Sequence, residues 1–225
     1  MIEKILPDVL ACSEAFDDPL DAVLFPEEEA VISRAVEKRR REFRTVRLRA
    51  RRALRELNLP PVAVLPGEHR EPLWPPGVVG SMTHCTGYRA AVVAHSRNLI
   101  TVGIDAEPHE PLPPDVMDGI ALDEELIRHA KLATTKGAVC WDRVLFCAKE
   151  TVYKAWFPLA HRWLGFQEAN VTIDPPTMDH TEGTFSARLP VAGPMIAGEQ
   201  LTGFDGRWLI TDNLVITAIA VSPTK

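Results

Sequence analysis

No stretch of this 225-residue chain approaches the roughly 20 consecutive apolar residues that cross a bilayer. The opening residues, Met1 to Asp8, have neither the basic start nor the long apolar core of a signal peptide. Cysteine is scarce: Cys12, Cys85, Cys140 and Cys147 are too few in a chain this long to make a disulfide framework. No Cys-x-x-Cys pair occurs, which argues against structural zinc. These absences make the cytoplasm the expected location, with no membrane partner. A general excess of positive charge is also missing. The net charge is −6, yet 11 of the 25 basic residues fall between Arg34 and Arg55. A mildly acidic chain with one concentrated basic helix is no general nucleic-acid binder. It suits a compact anion or an acidic partner surface.

What is present is an ordinary globular composition, 46% hydrophobic and 25% charged, enough for one large domain or two small ones. Phe25-Pro26-Glu27-Glu28-Glu29 reads as a helix start, with proline and acids in the first turn. Apolar residues at Ile32, Val36, Phe43, Val46, Ala50, Leu54 and Leu57 continue it at helical spacing until Pro60-Pro61. A proline-rich loop runs to Gly77. Strands follow at Val78–Met82, Ala90–His95 and Ile100–Asp105, the last two joined by a turn at Ser96-Arg97-Asn98. Glu107 to Pro114 is a proline-rich connection, and Asp115–Lys136 a loosely patterned helical region. A second helix spans about Asp142 to Phe157, stopped by Pro158, with the apolar stripe Leu145, Ala148, Val152, Ala155 and Trp156. The tail reads as strands at Asn170–Ile173, Thr184–Leu189, Leu201–Phe204, Arg207–Thr211 and Leu214–Val221, with turns at Asp205-Gly206 and Asp212-Asn213. The expectation is an α+β fold of two halves, residues 1–107 and 108–225, each a helix followed by a small antiparallel sheet.

Two short stretches carry the chemistry. Val102-Gly103-Ile104-Asp105-Ala106-Glu107 sets two carboxylates at i and i+2, so on a strand both face the same way. Phe146-Cys147-Ala148-Lys149-Glu150-Thr151-Val152-Tyr153-Lys154 sets Glu150 and Lys154 on one helix face, beside Lys149. Separately, these residues read as solvated acids and surface lysines. Together, three carboxylates and two lysines would hold a hard divalent ion such as Mg²⁺ and the polyphosphate it carries. Gly103, inside a strand, marks close approach of a ligand or another backbone.

The two stretches, in this order and with Asp105 and Glu150 45 residues apart, resemble the Gly-x-Asp-x-Glu and Lys-Glu-x-x-x-Lys signatures of the Sfp-type 4′-phosphopantetheinyl transferases. The Gly-Ile-Asp-Ala-Glu-Pro run and the upstream Gly-Ser-Met-Thr-His-Cys are similar to the actinobacterial type II enzymes, and the likeness runs from Pro26 to Phe166. It implies a pseudo-twofold 4′-phosphopantetheinyl transferase fold with the active site between the halves. The reaction would move 4′-phosphopantetheine from coenzyme A to a serine of an apo acyl or peptidyl carrier protein, releasing adenosine 3′,5′-bisphosphate. The resemblance also implies Mg²⁺, or Mn²⁺ in its stead, held by Asp105, Glu107 and Glu150. Glu150 would double as general base, with Lys149 and Lys154 on the phosphates and Lys154 beside the departing one.

In the same likeness Arg39 and Arg47, which flank Phe43 at i−4 and i+4, clamp the adenosine 3′-phosphate with well-shaped guanidinium forks. Arg40, Arg41 and Arg44 are left as surface. His84 contacts a coenzyme A phosphate, helped by Thr83, as a binder and not a base. Cys85 cannot form a dyad with His84, since neighbouring strand residues point apart. The loop Pro66-Gly67-Glu68-His69-Arg70-Glu71-Pro72 would wrap the nucleotide, but relatives carry a lysine and a second glycine there. His69 or Arg70 must then supply the charge. Trp163, Leu164 and Phe166 either pack in the core or line the pantetheine channel, with Leu164 the cofactor contact. The carrier would be a small acidic domain of fatty acid, polyketide or nonribosomal peptide synthesis, served by a monomer. Two alternatives differ in class: a Mg²⁺-dependent nucleotide phosphohydrolase, and a non-enzymatic module binding nucleic acid through the basic helix.

Overall fold

The computed structural model describes residues 1–134, 139–174, 181–211 and 213–223. After a single turn of 3-10 helix at Ile2–Ile5, strand β1 (Ala11–Ala15) leads to α1 (Pro26–Ile32) and α2 (Glu37–Glu56). The one continuous helix expected from periodicity is therefore broken. Ala35 N–H closes a turn on Ile32 O, and Val36 caps α2 and is 75% exposed. The cause is Glu28, which is fully buried. Its carboxylate accepts from Phe25 N (3.0 Å), Val64 N (2.8 Å) and Arg51 Nη1 (2.8 Å). Only a chain that doubles back lays that acid against α2, and a buried charge needs such partners.

Helix α2 covers one face of a three-stranded antiparallel sheet of order β1-β3-β2. Its strands β2 (Val78–Cys85) and β3 (Tyr88–His95) run longer than the sequence reading, and His84 lies inside β2. Ala91 and Val93 of β3 pack under Ala50, Ala53 and Leu54 of α2. The alternate residues Ala90, Val92 and Ala94 pack on a second sheet, of order β4-β10-β9-β6-β5. That sheet comprises β4 (Thr101–Pro108), β5 (Asn170–Ile173), β6 (Glu182–Arg188), β9 (Gly203–Thr211) and β10 (Leu214–Val221). Helix α5 (Trp141–Ala160) covers its far face, with Leu145, Ala148, Val152, Ala155 and Trp156 buried as the stripe required. The layers run helix, sheet, sheet, helix, an α+β arrangement with each helix on an antiparallel sheet.

Strand β4 departs from the expected order. The turn at Ser96-Arg97-Asn98 precedes it, but β4 is not a neighbour of β3. It pairs with β10, Asp105 lying opposite Thr217, so the hydrogen-bonded sheets do not follow the boundary at residue 107. The other edge of β4 lies against β2. Ile104 N–H and Ala106 N–H donate to Ser81 Oγ and Thr83 Oγ, each at 3.1 Å. Side-chain hydroxyls thus join the two sheets where a backbone ladder does not.

Two further expectations are corrected. Asp205-Gly206 is no turn but lies within β9, where Gly206 opposes Phe185. A Cβ at Gly206 would sit 2.2 Å from the Phe185 ring, which fills that space. Pro158 does not stop α5, which continues to Ala160 and closes with His161 in the left-handed region (φ +47°). The region from Asp115 holds α3 (Val116–Ile120) and α4 (Asp123–Leu132), while its expected end at Lys136 falls outside the described residues. So does Asp212 of the last expected turn. A small hairpin of β7 (Met195–Ile196) and β8 (Glu199–Gln200) has no counterpart in the sequence reading.

Candidate active site

Helix α5 comes down onto β4 because Gly103 has no side chain. A Cβ there would lie 2.4 Å from Thr151 O and 2.8 Å from Ala155 N, so the close approach is to another backbone. That contact carries Glu150 and Lys154 to the floor of a cavity of about 720 Å³ between the two helix-on-sheet units. Its lining includes Arg39, Phe43 and Arg47 of α2, Thr83 and His84 of β2, Asp105 of β4, and Glu150, Tyr153 and Lys154 of α5.

One end is anionic. Asp105 is 4% exposed, and its Oδ1 accepts from Lys154 Nζ (2.6 Å) and Thr83 Oγ1 (3.0 Å). Its Oδ2 is buried with no hydrogen-bond partner. Burial works against the Lys154 ammonium, but Asp105 outweighs it and the pKa is raised, so the lysine stays charged. Burial and then Asp105 push the Glu150 carboxyl above its usual range, opposed by Lys154. Glu107 is raised to about 7 by burial and by Asp105, although Arg143 opposes the shift. Arg143 Nη1 donates to Glu107 Oε2 at 3.1 Å.

A second group of lining residues is cationic. Arg47 is 8% exposed, with its guanidinium 3.6 Å from the Phe43 ring centroid and Nε donating to Val64 O (3.2 Å). Burial depresses its pKa to about 10, which still leaves it charged at neutral pH. Arg39 donates to His84 Nε2. Burial, Arg39 and Lys154 hold His84 down to about 3, so it is a neutral acceptor and no base at physiological pH. Its Nδ1 faces Glu42 Oε2 at 3.6 Å. Pro66, Gly67, His69 and Arg70 line the cavity, while Glu68 is exposed and does not. The His69 ring packs tilted against Phe157 (centroids 5.2 Å), whereas Arg70 lies close enough to depress the Arg39 pKa after burial.

Two expected cofactor contacts, Lys149 and Thr83, have their polar groups engaged within the protein. Lys149 is 3% exposed, and its ammonium is spent on Glu125 Oε2 (2.9 Å), Phe166 O (2.7 Å) and Ala169 O (2.7 Å). An ammonium has three N–H donors, so none remains for a phosphate. The Thr83 hydroxyl, donating to Asp105 and accepting from Ala106 N–H, positions Asp105. Leu164 is buried beside Tyr153, Trp163 and Phe166 around a smaller cavity of about 90 Å³. Glu150 and Tyr153 border both spaces. The sequence reading missed Tyr153, whose buried hydroxyl has no partner, and Arg143. Their signal was spacing: Tyr153 follows Glu150 by three residues and Arg143 precedes it by seven, all on one helix face.

Among the described residues no three His, Cys, Asp or Glu side chains converge enough to hold a metal ion as they stand. The donor chemistry nevertheless fits a hard cation. Asp105 Oδ2 is an orphaned buried oxygen, and Glu150 makes no hydrogen bond or ion pair among the described residues. Both are oxygen ligands of the kind such ions take.

Comparison with known proteins agrees with this architecture. Residues 27–94 match the model of the 4′-phosphopantetheinyl transferase N-terminal domain, and residues 101–190 that of the 4′-phosphopantetheinyl transferase superfamily. The chain belongs to that superfamily and is a transferase. It is 51% identical to the 4′-phosphopantetheinyl transferase Npt of Nocardia iowensis, over 98% of this chain and 99% of that protein. Identity is 50% to Svp of Streptomyces mobaraensis (99% and 89% covered) and 46% to PptT of Mycobacterium tuberculosis (98% of each), both also 4′-phosphopantetheinyl transferases. No helix among the described residues is long and apolar enough to cross a membrane.

Proposed function

We propose that this enzyme transfers 4′-phosphopantetheine from coenzyme A to a serine of an apo acyl or peptidyl carrier protein, with Mg²⁺ held by Asp105 and Glu150. The observation that carries the reading is the orphaned Asp105 Oδ2 in a cavity that Glu150, Arg39 and Arg47 also line. Arg143 engages only Oε2 of Glu107, which leaves Oε1 for Glu107 to complete the metal set. When bound, the ion would draw the two phosphates of the donor together and neutralise their charge.

The protein's own groups account for the rest. Arg39 and Arg47 grip the 3′-phosphate, and Arg70 adds charge at the nucleotide loop. Lys154, kept charged by Asp105, meets the phosphate that departs. Glu150, its carboxyl pushed above the usual range by burial, takes the serine proton as Oγ bonds to the phosphorus bearing pantetheine. The bond from that phosphorus to the bridging oxygen breaks, and adenosine 3′,5′-bisphosphate leaves with the electron pair. Positioning and charge neutralisation do most of such a reaction. A single chain contains all these residues, which supports a monomer.

The test is to incubate the protein with coenzyme A, Mg²⁺ and an apo carrier protein and to weigh the carrier. A gain of one phosphopantetheine is expected. No gain, with adenosine 3′,5′-bisphosphate released without any carrier, would replace this reading by the phosphohydrolase.

A further inference from the structure

His84 lines the cavity from β2, with one carboxylate near its ring and several cations around it. The carboxylate is that of Glu42 on α2, which is buried and sets Oε2 3.6 Å from His84 Nδ1. The cations acting on the ring are Arg39 and Arg47 of α2, Arg89 of β3 and Lys154 of α5, while Arg70 of the nucleotide loop acts on Arg39. Arg89 is held in place: it donates to Cys85 O, to Tyr88 O (3.0 Å) and to Asp18 Oδ2 (2.9 Å). Glu42 also lies 3.8 Å from Arg39 and 3.9 Å from Arg89, at ion-pair rather than hydrogen-bond distances. Because His84 Nε2 accepts from Arg39, the neutral ring carries its proton on Nδ1, toward Glu42. A second proton has one place to go, which is Nε2.

A phosphate that takes the Arg39 guanidinium draws that donor off Nε2 and puts an anion beside the freed lone pair. An imidazole between a phosphate and a carboxylate favours its charged form, since both neighbours are anions. Resting on the reading that Arg39 and Arg47 grip the 3′-phosphate, we infer that Glu42 is a positioning residue that readies His84 to take up a proton as coenzyme A binds. The imidazolium then donates Nε2–H to the phosphate and points Nδ1–H at Glu42, the added proton coming from solvent. Glu42 touches no part of the donor and acts by aiming and charging His84. As the groups stand, burial and the four cations keep the ring neutral, so the proton is gained on binding and not carried beforehand. A complex that holds more protons than its parts is favoured by falling pH. The His84 share of the affinity therefore rises as pH falls through neutrality, by up to about tenfold per pH unit for a whole proton.

The test counts protons. Coenzyme A is titrated into the protein by calorimetry near neutral pH, in buffers of different ionisation enthalpy, with Mg²⁺ constant and no carrier protein. The wild type should take up about one-half to one proton more than His84→Gln. Proton changes at the phosphates and at the other carboxylates are common to both proteins and cancel in the difference. Glu42→Gln should lose at least about half of the extra uptake, and Glu42→Asp, which keeps the charge, should lose less. Dephospho-coenzyme A should show no extra uptake in any of them. Equal proton counts in wild type and His84→Gln overturn the inference, as does an undiminished count in folded Glu42→Gln. Ring-nitrogen NMR of the wild type decides even where the Glu42 variants do not fold. The His84 resonances should pass from the Nδ1–H tautomer to imidazolium as coenzyme A is added, and a ring that stays neutral refutes the inference. Equal losses of coenzyme A and dephospho-coenzyme A in Arg39→Ala and Arg47→Ala would instead remove the clamp itself, and the inference with it.

Discussion

Helices α2 and α5 have the same length, twenty residues, and each lies on one antiparallel sheet, yet they use charge in opposite ways. On α2 four of the nine arginines are held within the fold. Arg51 pairs with buried Glu28, Arg40 and Arg44 with Glu29, and Arg49 donates to Glu14 O. Only Arg39 and Arg47 turn to the cavity. On α5 the charges are few and divided: Lys149 goes into the core with Glu125, while Glu150 and Lys154 face the cleft. A dense run of charge therefore became scaffold, and a sparse one became chemistry. What decides is where the counter-charge sits, which a count of charges does not contain.

The comparison breaks most sharply at Glu150. Glu150→Gln should lower transfer about 10²- to 10⁴-fold, the range of a lost general base, with the melting temperature nearly unchanged. A variant that melts instead would make α5 scaffold as well. The converse lesion is Glu28→Ala on the α2 side, which leaves Arg51 and Val64 N–H buried without their acceptor. It should cost about 3–5 kcal/mol in urea unfolding, while the folded fraction keeps transferring. Between these lie the two cavity-facing arginines. Arg39→Ala or Arg47→Ala should each weaken coenzyme A about 10- to 150-fold by calorimetry. Dephospho-coenzyme A should bind the wild type poorly and lose little more in either variant. Equal losses for both ligands would move these arginines to the scaffold class.

A further effect concerns pH. His84 has its folded pKa depressed to about 3 from an ordinary 6.5, by burial and by Arg39 and Lys154. The unfolded chain therefore binds the extra proton first as pH falls. The stability from neutral His84 is complete above about pH 6.5 and declines on the way down to about pH 3. Thermal melts should show the wild type losing ground to His84→Gln as pH drops from 7 to 4. Parallel curves would mean that His84 is solvated.

Much of this site was legible because its spacing is local. Glu150 and Lys154 share a helix face by sequence distance alone, and Asp105 and Glu107 a strand face. The apolar stripe of α5 was equally plain. What escaped depends on partners far along the chain. Lys149 reads like Lys154 until Glu125, from another helix, claims it. Strand β4 reads as the end of one half until β10, more than a hundred residues later, pairs with it. The gap between α1 and α2 was hidden because Val36 keeps the apolar period while lying outside both helices. Asp205-Gly206 carries turn chemistry, and Phe185 across the strand overrides it. In each case a tertiary contact outweighed a correct local preference.

The hydroxyl contacts between β2 and β4 bear on how the cleft breathes. The amide protons of Ile104 and Ala106 belong to a five-stranded sheet, yet their acceptors are Ser81 Oγ and Thr83 Oγ. They can therefore exchange with solvent deuterium when the two sheets merely slide apart, without any strand unpairing. Their exchange rates report the opening of the cavity floor beside Asp105, while their strand neighbours bonded to β10 report global unfolding. A ligand that bridges the two halves should slow exchange at these two amides first, so that occupancy of the site can be followed from its underside.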